Sequence, residues 1–104
     1  MDFFPIFFDI KNKPCLVVGG GEVATRKGGM LMQSGGLITV VAPELTDTLK
    51  ELAGAGKITH VAEKFRPEHL GEAVLVIAAT NDRAANEQVS VAAKKLRIPV
   101  NVVD

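Results

Sequence analysis

The chain has 104 residues with 12 basic and 12 acidic side chains, 47% hydrophobic residues and one cysteine. This length and apolar content predict one folded domain over residues 1–104, and the zero net charge disfavours a nucleic-acid binder, which normally carries a basic excess. The single cysteine rules out an internal disulfide framework, and no apolar run reaches the ~20 residues that span a membrane, so we expect a cytoplasmic protein.

The N-terminal segment concentrates the aromatic residues of the chain. Four of the five phenylalanines lie within the first eight residues: Phe3, Phe4, Phe7 and Phe8. Asp2 and the absence of a basic stretch distinguish this segment from a secretory signal peptide. We expect Pro5–Ile10 to form an extended lead-in to the first strand. The phenylalanines either pack on the sheet edge or contact something that this chain does not contain, and the sequence leaves both open.

Short runs rich in valine and isoleucine then alternate with longer stretches of helical spacing. Because the runs are mostly continuous, they predict parallel strands that are covered on both faces. The predicted strands are 15–18, 37–41, 58–61, 74–79 and 100–103, and the predicted helices are 22–34, 46–55, a short 67–72 and 83–96. The last helix is the clearest, because one apolar stripe runs along it and either Asp82 or Asn81 can cap its start. The stripe consists of Ala85, Val89, Ala92, Ala93 and Leu96. This rhythm predicts an α/β fold, a doubly wound parallel sheet of five strands in the order 3-2-1-4-5 within three α/β/α layers.

The strongest local motif joins the first predicted strand to the first helix and reads VVGGGEVATRK over residues 17–27. Gly19, Gly21 and Ala24 match the G-x-G-x-x-(G/A) spacing of Rossmann-type dinucleotide-binding domains. Gly19 would permit the tight turn, and Gly21 would let the backbone approach a pyrophosphate at the positive end of the helix. A glycine-rich turn that only connects a strand to a helix is the alternative.

The second half of that fingerprint is absent. An acidic residue normally ends the second strand and binds the ribose hydroxyls. Here the strand is followed by Ala42 and Pro43, and Glu44 lies two positions past the expected place. Either Glu44 or nearby backbone groups would therefore hold the ribose. No arginine stands there to bind a 2′-phosphate, which favours NAD over NADP.

Polar residues follow the fourth and fifth predicted strands. Ligands of open α/β sheets bind at the carboxyl ends of the strands. We therefore expect Thr80 and Asn81 to meet the ribose–nicotinamide half of a cofactor, a role compatible with forming a turn and a helix cap. Asp104 would point a carboxylate at the same rim, either as a catalytic group or as a solvated one. No metal site is predicted, because the two histidines lie on different elements.

Five segments together resemble the NAD-binding domain of siroheme synthase, in the precorrin-2 dehydrogenase family. They are Pro5–Phe7, VVGGGEVATRK, VVAPE at 40–44, IAATND at 77–82 and NVVD at 101–104, and they follow the family's order across essentially the whole chain. The resemblance implies a module that binds NAD and oxidises precorrin-2, a tetrapyrrole, to sirohydrochlorin. Many members also insert ferrous iron into the product. By position, the resemblance implies cofactor contacts from Glu22, Val23, Pro43 and Glu44.

The resemblance also assigns a role to Asp104, which matches the family aspartate that acts in dehydrogenation and, in bifunctional members, in metal insertion. The sequence does not separate these two roles. The family continues past this aspartate into a dimerisation segment and a helical domain, which implies a fragment of a longer homodimeric enzyme that is inactive when isolated. Gly28 and Gly29, inside the first predicted helix, depart from the family's better helix formers. The alternative is a non-catalytic nucleotide-binding regulatory module, which would favour an acidic residue in place of Ala42 and has no need of Asp104.

Overall fold

The computed structural model describes residues 7–103 and contains a single five-stranded sheet within that range. The strands lie in the order β3-β2-β1-β4-β5, and every neighbouring pair is parallel. The strands are β1 (Pro14–Val18), β2 (Leu37–Val41), β3 (Thr59–Val61), β4 (Leu75–Ala78) and β5 (Val100–Val102); the helices are α1 (Glu22–Gln33), α2 (Asp47–Gly54) and α3 (Arg83–Lys95), with a short 3-10 helix at Pro67–Leu70. The predicted fold class and strand order are confirmed.

The central strand β1 shows why the apolar runs are continuous. Cys15 and Val17 belong to the core on one face of the sheet, which α1 and α2 cover. Leu16 and Val18 belong to the core on the other face, which α3 and the 3-10 helix cover. Successive strand residues point to opposite faces, so a strand buried on both sides is apolar at every position. Each fully buried valine or leucine side chain contributes roughly 1.5–3 kcal/mol to folding.

Helix α3 is capped by Asp82, one of the two predicted caps. The Asp82 carboxylate accepts hydrogen bonds from the backbone N–H groups of Ala84 at 2.9 Å and Ala85 at 3.3 Å. The predicted apolar stripe was wrong at its last member, because Leu96 follows the final helical residue and is 59% exposed. The chain turns at Arg97, where φ is +58°, and Ile98 packs against the core instead.

The N-terminal phenylalanines are described only in part, since Phe3 and Phe4 lie outside residues 7–103. Phe7 is fully exposed and Phe8 is also exposed, so packing on the sheet edge, the first of the two alternatives, is not found for Phe7. Ile10 is the first buried residue from position 7 onward, and its carbonyl accepts a hydrogen bond from the Lys13 N–H at 2.9 Å. No helix between residues 7 and 103 is long and apolar enough to cross a membrane.

Helix α1 is continuous although two glycines occupy its middle. A Cβ built on Gly28 or Gly29 would meet no neighbouring atom within 4 Å among the described residues, its own helix backbone aside. Alanine is more favourable than glycine in a helix interior by about 1 kcal/mol. We therefore expect Gly28→Ala and Gly29→Ala each to raise the free energy of unfolding by about 0.5–1 kcal/mol in urea denaturation. A decrease in the free energy of unfolding of either variant would show that this part of α1 requires glycine.

Candidate functional site

The turn after β1 depends on the unusual backbone of Gly19. Its N–H donates to the Val41 carbonyl at 2.9 Å, and its φ of +127° lies in a region that L side chains rarely adopt. A Cβ on Gly19 would lie 2.4 Å from the Ala79 carbonyl oxygen and 3.1 Å from the Thr80 backbone nitrogen. Gly19 is thus required by the turn and by the close approach of the segment that follows β4.

Gly20 has a structural role that the motif did not indicate. A Cβ there would lie 1.9 Å from the Glu44 carbonyl oxygen and 3.0 Å from the Ala42 Cβ. The Gly20 carbonyl also accepts a hydrogen bond from the Thr46 N–H at 2.9 Å, and the Thr46 hydroxyl caps α2 by accepting from the Leu49 N–H. Gly20 therefore allows the loops after β1 and β2 to pack directly against each other.

Gly21 differs from both neighbours, because nothing in the described part of the protein requires it to be glycine. It is exposed, and a Cβ on it would meet no atom of residues 7–103 within 4 Å. Gly21 is also the N-cap of α1, and no side chain within that range caps the helix. Free backbone N–H groups at a helix N-terminus form an anion site, and a bare backbone there permits close approach of phosphate. These residues fit the pyrophosphate of a dinucleotide, with the exposed Glu22 and half-buried Val23 opening the helix.

The end of β2 explains the missing acidic residue of the fingerprint. Ala42 is buried against the core next to Gly20, so this position is filled by packing. The Ala42 carbonyl is 2.8 Å from Nε2 of His60, which therefore donates the hydrogen bond. Pro43 and Glu44 follow in exposed positions. The Glu44 carbonyl packs against Gly20 of the glycine turn, and the Glu44 side chain is exposed.

The ends of β4 and β5 are joined by a buried amide that sequence reasoning missed. Asn86, on the buried face of α3, is 5% exposed. Its Oδ1 accepts from the Thr80 N–H at 3.0 Å and is 2.7 Å from the Thr80 hydroxyl. Its Nδ2 donates to the Thr80 carbonyl at 3.0 Å and to the Val103 carbonyl at 3.5 Å. The signal was available in the spacing, because Asn86 shares the helical face of Val89 and Ala93.

A cavity of about 410 Å³ opens beside this amide. Its lining combines the segment after β4, the first turns of α3 and the end of β5: Thr80, Asn81, Arg83, Asn86, Glu87, Val102 and Val103. Thr80 is half-buried, and its hydroxyl also contacts the Asp82 backbone, whereas Asn81 is exposed. The predicted catalytic residue Asp104 lies outside the described residues, directly after Val103.

Two titratable groups have shifted pKa values, Cys15 and Glu63, and neither lines this cavity. Burial raises the pKa of the Cys15 thiol, which keeps it neutral and unreactive at physiological pH. Hydrogen bonds from Arg66 and then His69 lower the pKa of the exposed Glu63 carboxyl beside the 3-10 helix. Across residues 7–103 no group of three or more His, Cys, Asp or Glu side chains is arranged to hold a metal ion.

A parallel sheet in the order 3-2-1-4-5, with a glycine turn that opens an uncapped helix within the described residues, defines a Rossmann-type dinucleotide-binding domain. Residues 6–104 match the model of a family described as "Putative NAD(P)-binding", and the chain belongs to this family. The predicted cofactor class, a nicotinamide dinucleotide, is confirmed at the level of the family.

Curated relatives confirm the resemblance predicted from the motifs. The chain is 56% identical over 108 residues to siroheme synthase of Nitrosospira multiformis and 55% identical over 108 residues to siroheme synthase of Nitrosomonas eutropha. Both matches cover 100% of this chain but only 23% and 22% of the relatives, so the chain spans less than a quarter of their length. Among solved structures, SirC, a precorrin-2 dehydrogenase, is 34% identical with a TM-score of 0.85, over 95% of this chain and 48% of that one.

Proposed function

We propose that this domain binds NAD and supplies the catalytic aspartate of a precorrin-2 dehydrogenase, which oxidises precorrin-2 to sirohydrochlorin in siroheme biosynthesis. The observation that carries the cofactor proposal is Gly21, an exposed glycine with no described neighbour at an N-terminus that no described side chain caps. The similarity to siroheme synthases and to a precorrin-2 dehydrogenase supports the substrate.

In this proposal each of the three loops at the carboxyl edge of the sheet binds a different part of the cofactor. The backbone N–H groups of Glu22 and Val23 hold the pyrophosphate, because they are the first donors of α1. Pro43 and Glu44 face the adenosine ribose after β2. Thr80 and Asn81 face the nicotinamide half after β4, with Asn81 exposed and free to turn toward it.

The proposed chemistry removes two electrons and two hydrogens from the tetrapyrrole. Bound NAD supplies the acceptor of the hydride. The Asp104 carboxylate takes the proton that leaves the substrate, which makes it the general base. For the longer enzyme we propose a cytoplasmic location and a homodimeric assembly. We also propose that ferrous iron is a second substrate at the same aspartate. The family resemblance supports the homodimer and the iron, and the single cysteine supports the cytoplasmic location.

The cofactor proposal is tested by titrating the purified chain with NAD and, separately, with NADP in a calorimeter. We expect NAD to bind with a dissociation constant below about 1 mM and more tightly than NADP, because no arginine follows β2. Circular dichroism confirms that the sample is folded. A folded chain that binds neither cofactor at millimolar concentration refutes the proposal. If the full-length enzyme binds NAD but does not oxidise precorrin-2, the domain is the non-catalytic nucleotide-binding module.

A further inference from the structure

Asn86 is a buried polar residue at a position that packing alone would fill with an apolar one. It shares its helical face with Val89 and Ala93, both fully buried in the core under α3. Every hydrogen-bonding atom of its amide has a partner: Oδ1 accepts from Thr80, and the two Nδ2 hydrogens have the Thr80 and Val103 carbonyls as acceptors. A buried amide is tolerated because it is fully paired, and a paired amide fixes the groups that it touches.

Few hydrogen bonds join the two strand ends that Asn86 contacts directly to each other in the described structure. The ladder between β4 and β5 pairs its last residues at Ala78 and Val102, and one further hydrogen bond runs from the Val103 N–H to the Ala78 carbonyl at 2.9 Å. Beyond that point the Asn86 amide connects the two segments, with three hydrogen bonds to Thr80 and one longer hydrogen bond to Val103. β5 has three residues and lies at the sheet edge, so these contacts act together with the packing of Val103 on the core to hold its end.

We infer that Asn86 is a positioning residue, which sets the catalytic aspartate relative to the nicotinamide half of the cofactor. The inference rests on the proposed function, since it takes Asp104 as the base and Thr80 as part of the cofactor site. Thr80 and Val103 line the same cavity as Asn86, and Val103 directly precedes Asp104. The Asn86 amide therefore fixes the position of Val103, the residue before the aspartate, relative to the loop after β4.

Two substitutions at Asn86 test this role in the full-length enzyme. Asn86→Leu keeps the branched shape of the side chain and suits the apolar face, but it removes all the hydrogen bonds to both strand ends. We expect it to lower kcat by about tenfold or more while the dissociation constant of NAD changes less than about threefold. Asn86→Asp keeps an oxygen that accepts from the Thr80 N–H. When the carboxyl is ionised, however, its second oxygen replaces the Nδ2 donor and faces the Thr80 and Val103 carbonyl oxygens, which repel it. Because a protonated carboxyl regains one O–H donor, the kcat of this variant relative to the unsubstituted enzyme is expected to rise as pH falls.

The matched control is Ser90→Ala. Ser90 is equally buried on the same face of α3, and within residues 7–103 its hydroxyl bonds neither strand end. The inference is overturned if Ser90→Ala lowers kcat as much as Asn86→Leu does. It is also overturned if the kcat of Asn86→Leu stays within about threefold of that of the unsubstituted enzyme.

Hydrogen exchange separates this inference from the proposed function. In the isolated chain, Asn86→Leu is expected to speed exchange of the Val103 amide by about tenfold or more relative to that of Val17 in central β1. Equal acceleration at both amides means that Asn86 only stabilises the fold, and the positioning role is then wrong. An unsubstituted enzyme that lacks dehydrogenase activity refutes the proposed function instead, whatever the exchange at Val103.

Discussion

Gly21→Ala is expected to weaken NAD binding by about tenfold or more, which corresponds to about 1.4 kcal/mol, while the free energy of unfolding changes by less than about 1 kcal/mol. A methyl group at this position meets no atom of the described protein, so folding tolerates it. It would instead occupy space in front of the first N–H groups of α1, where a pyrophosphate must approach the backbone closely. Calorimetric titration with NAD and urea denaturation measure the two quantities.

Gly20→Ala is the matched control, one residue earlier, and the opposite result is expected. Its Cβ would lie 1.9 Å from the Glu44 carbonyl oxygen, a backbone atom that cannot move without displacing the loop before α2. Such overpacking typically costs about 1–3 kcal/mol, so stability falls first and NAD affinity follows from the disturbed turn. If Gly21→Ala binds NAD as tightly as the unsubstituted chain, the pyrophosphate does not lie over this turn.

The sequence was most informative where the structure depends on local patterns. Continuous apolar runs such as residues 37–41 predicted strands buried on both faces, and the alternation of these runs with helical stretches predicted parallel crossovers. The strand order followed, because a glycine turn at the end of the first strand is typical of a doubly wound sheet. Asp82 was recognisable as a cap because a carboxylate directly preceded a helical stretch. The predicted apolar stripe was wrong at Leu96, because α3 ends before this residue and its side chain is exposed instead of packed on the core.

The candidate site was predictable in part, because only some of its features follow from spacing. The glycine spacing identified Gly19 and Gly21, but the need for glycine at position 20 arises from a loop more than twenty residues later in the chain. The role of Asn86 likewise arises from contacts with segments on either side of α3 in sequence. Helical spacing indicates that Asn86 is buried, but neither that spacing nor the glycine run around Gly20 identifies partners so distant in the chain. The burial of Ala42 shows the same limit, since the expected acid is replaced by a packing contact with another loop.

The proposed base gives the largest expected effect on turnover. Asp104→Asn in the full-length enzyme is expected to lower the rate of sirohydrochlorin formation by about 10²-fold or more. The amide keeps the size of the side chain but cannot take the proton that the substrate loses. Because the aspartate is assigned to proton transfer and the cofactor is assigned to other loops, the dissociation constant of NAD should change less than about threefold. The measurement is single-turnover formation of NADH with precorrin-2, alongside calorimetry with NAD.

Asp82→Asn is the control for the loss of a carboxylate at this edge of the sheet. Asp82 follows β4 and caps α3 through Oδ1, and asparagine is an equally good N-cap, so the helix should be unaffected. We expect this variant to turn over within about twofold of the unsubstituted enzyme, because its carboxylate is occupied in capping and not in proton transfer. Equal losses of turnover in both variants would mean that the reaction depends on negative charge at this edge of the sheet and not on a base at Asp104. Near-normal turnover in Asp104→Asn alone would remove that aspartate from the mechanism and leave the domain as a cofactor-binding module.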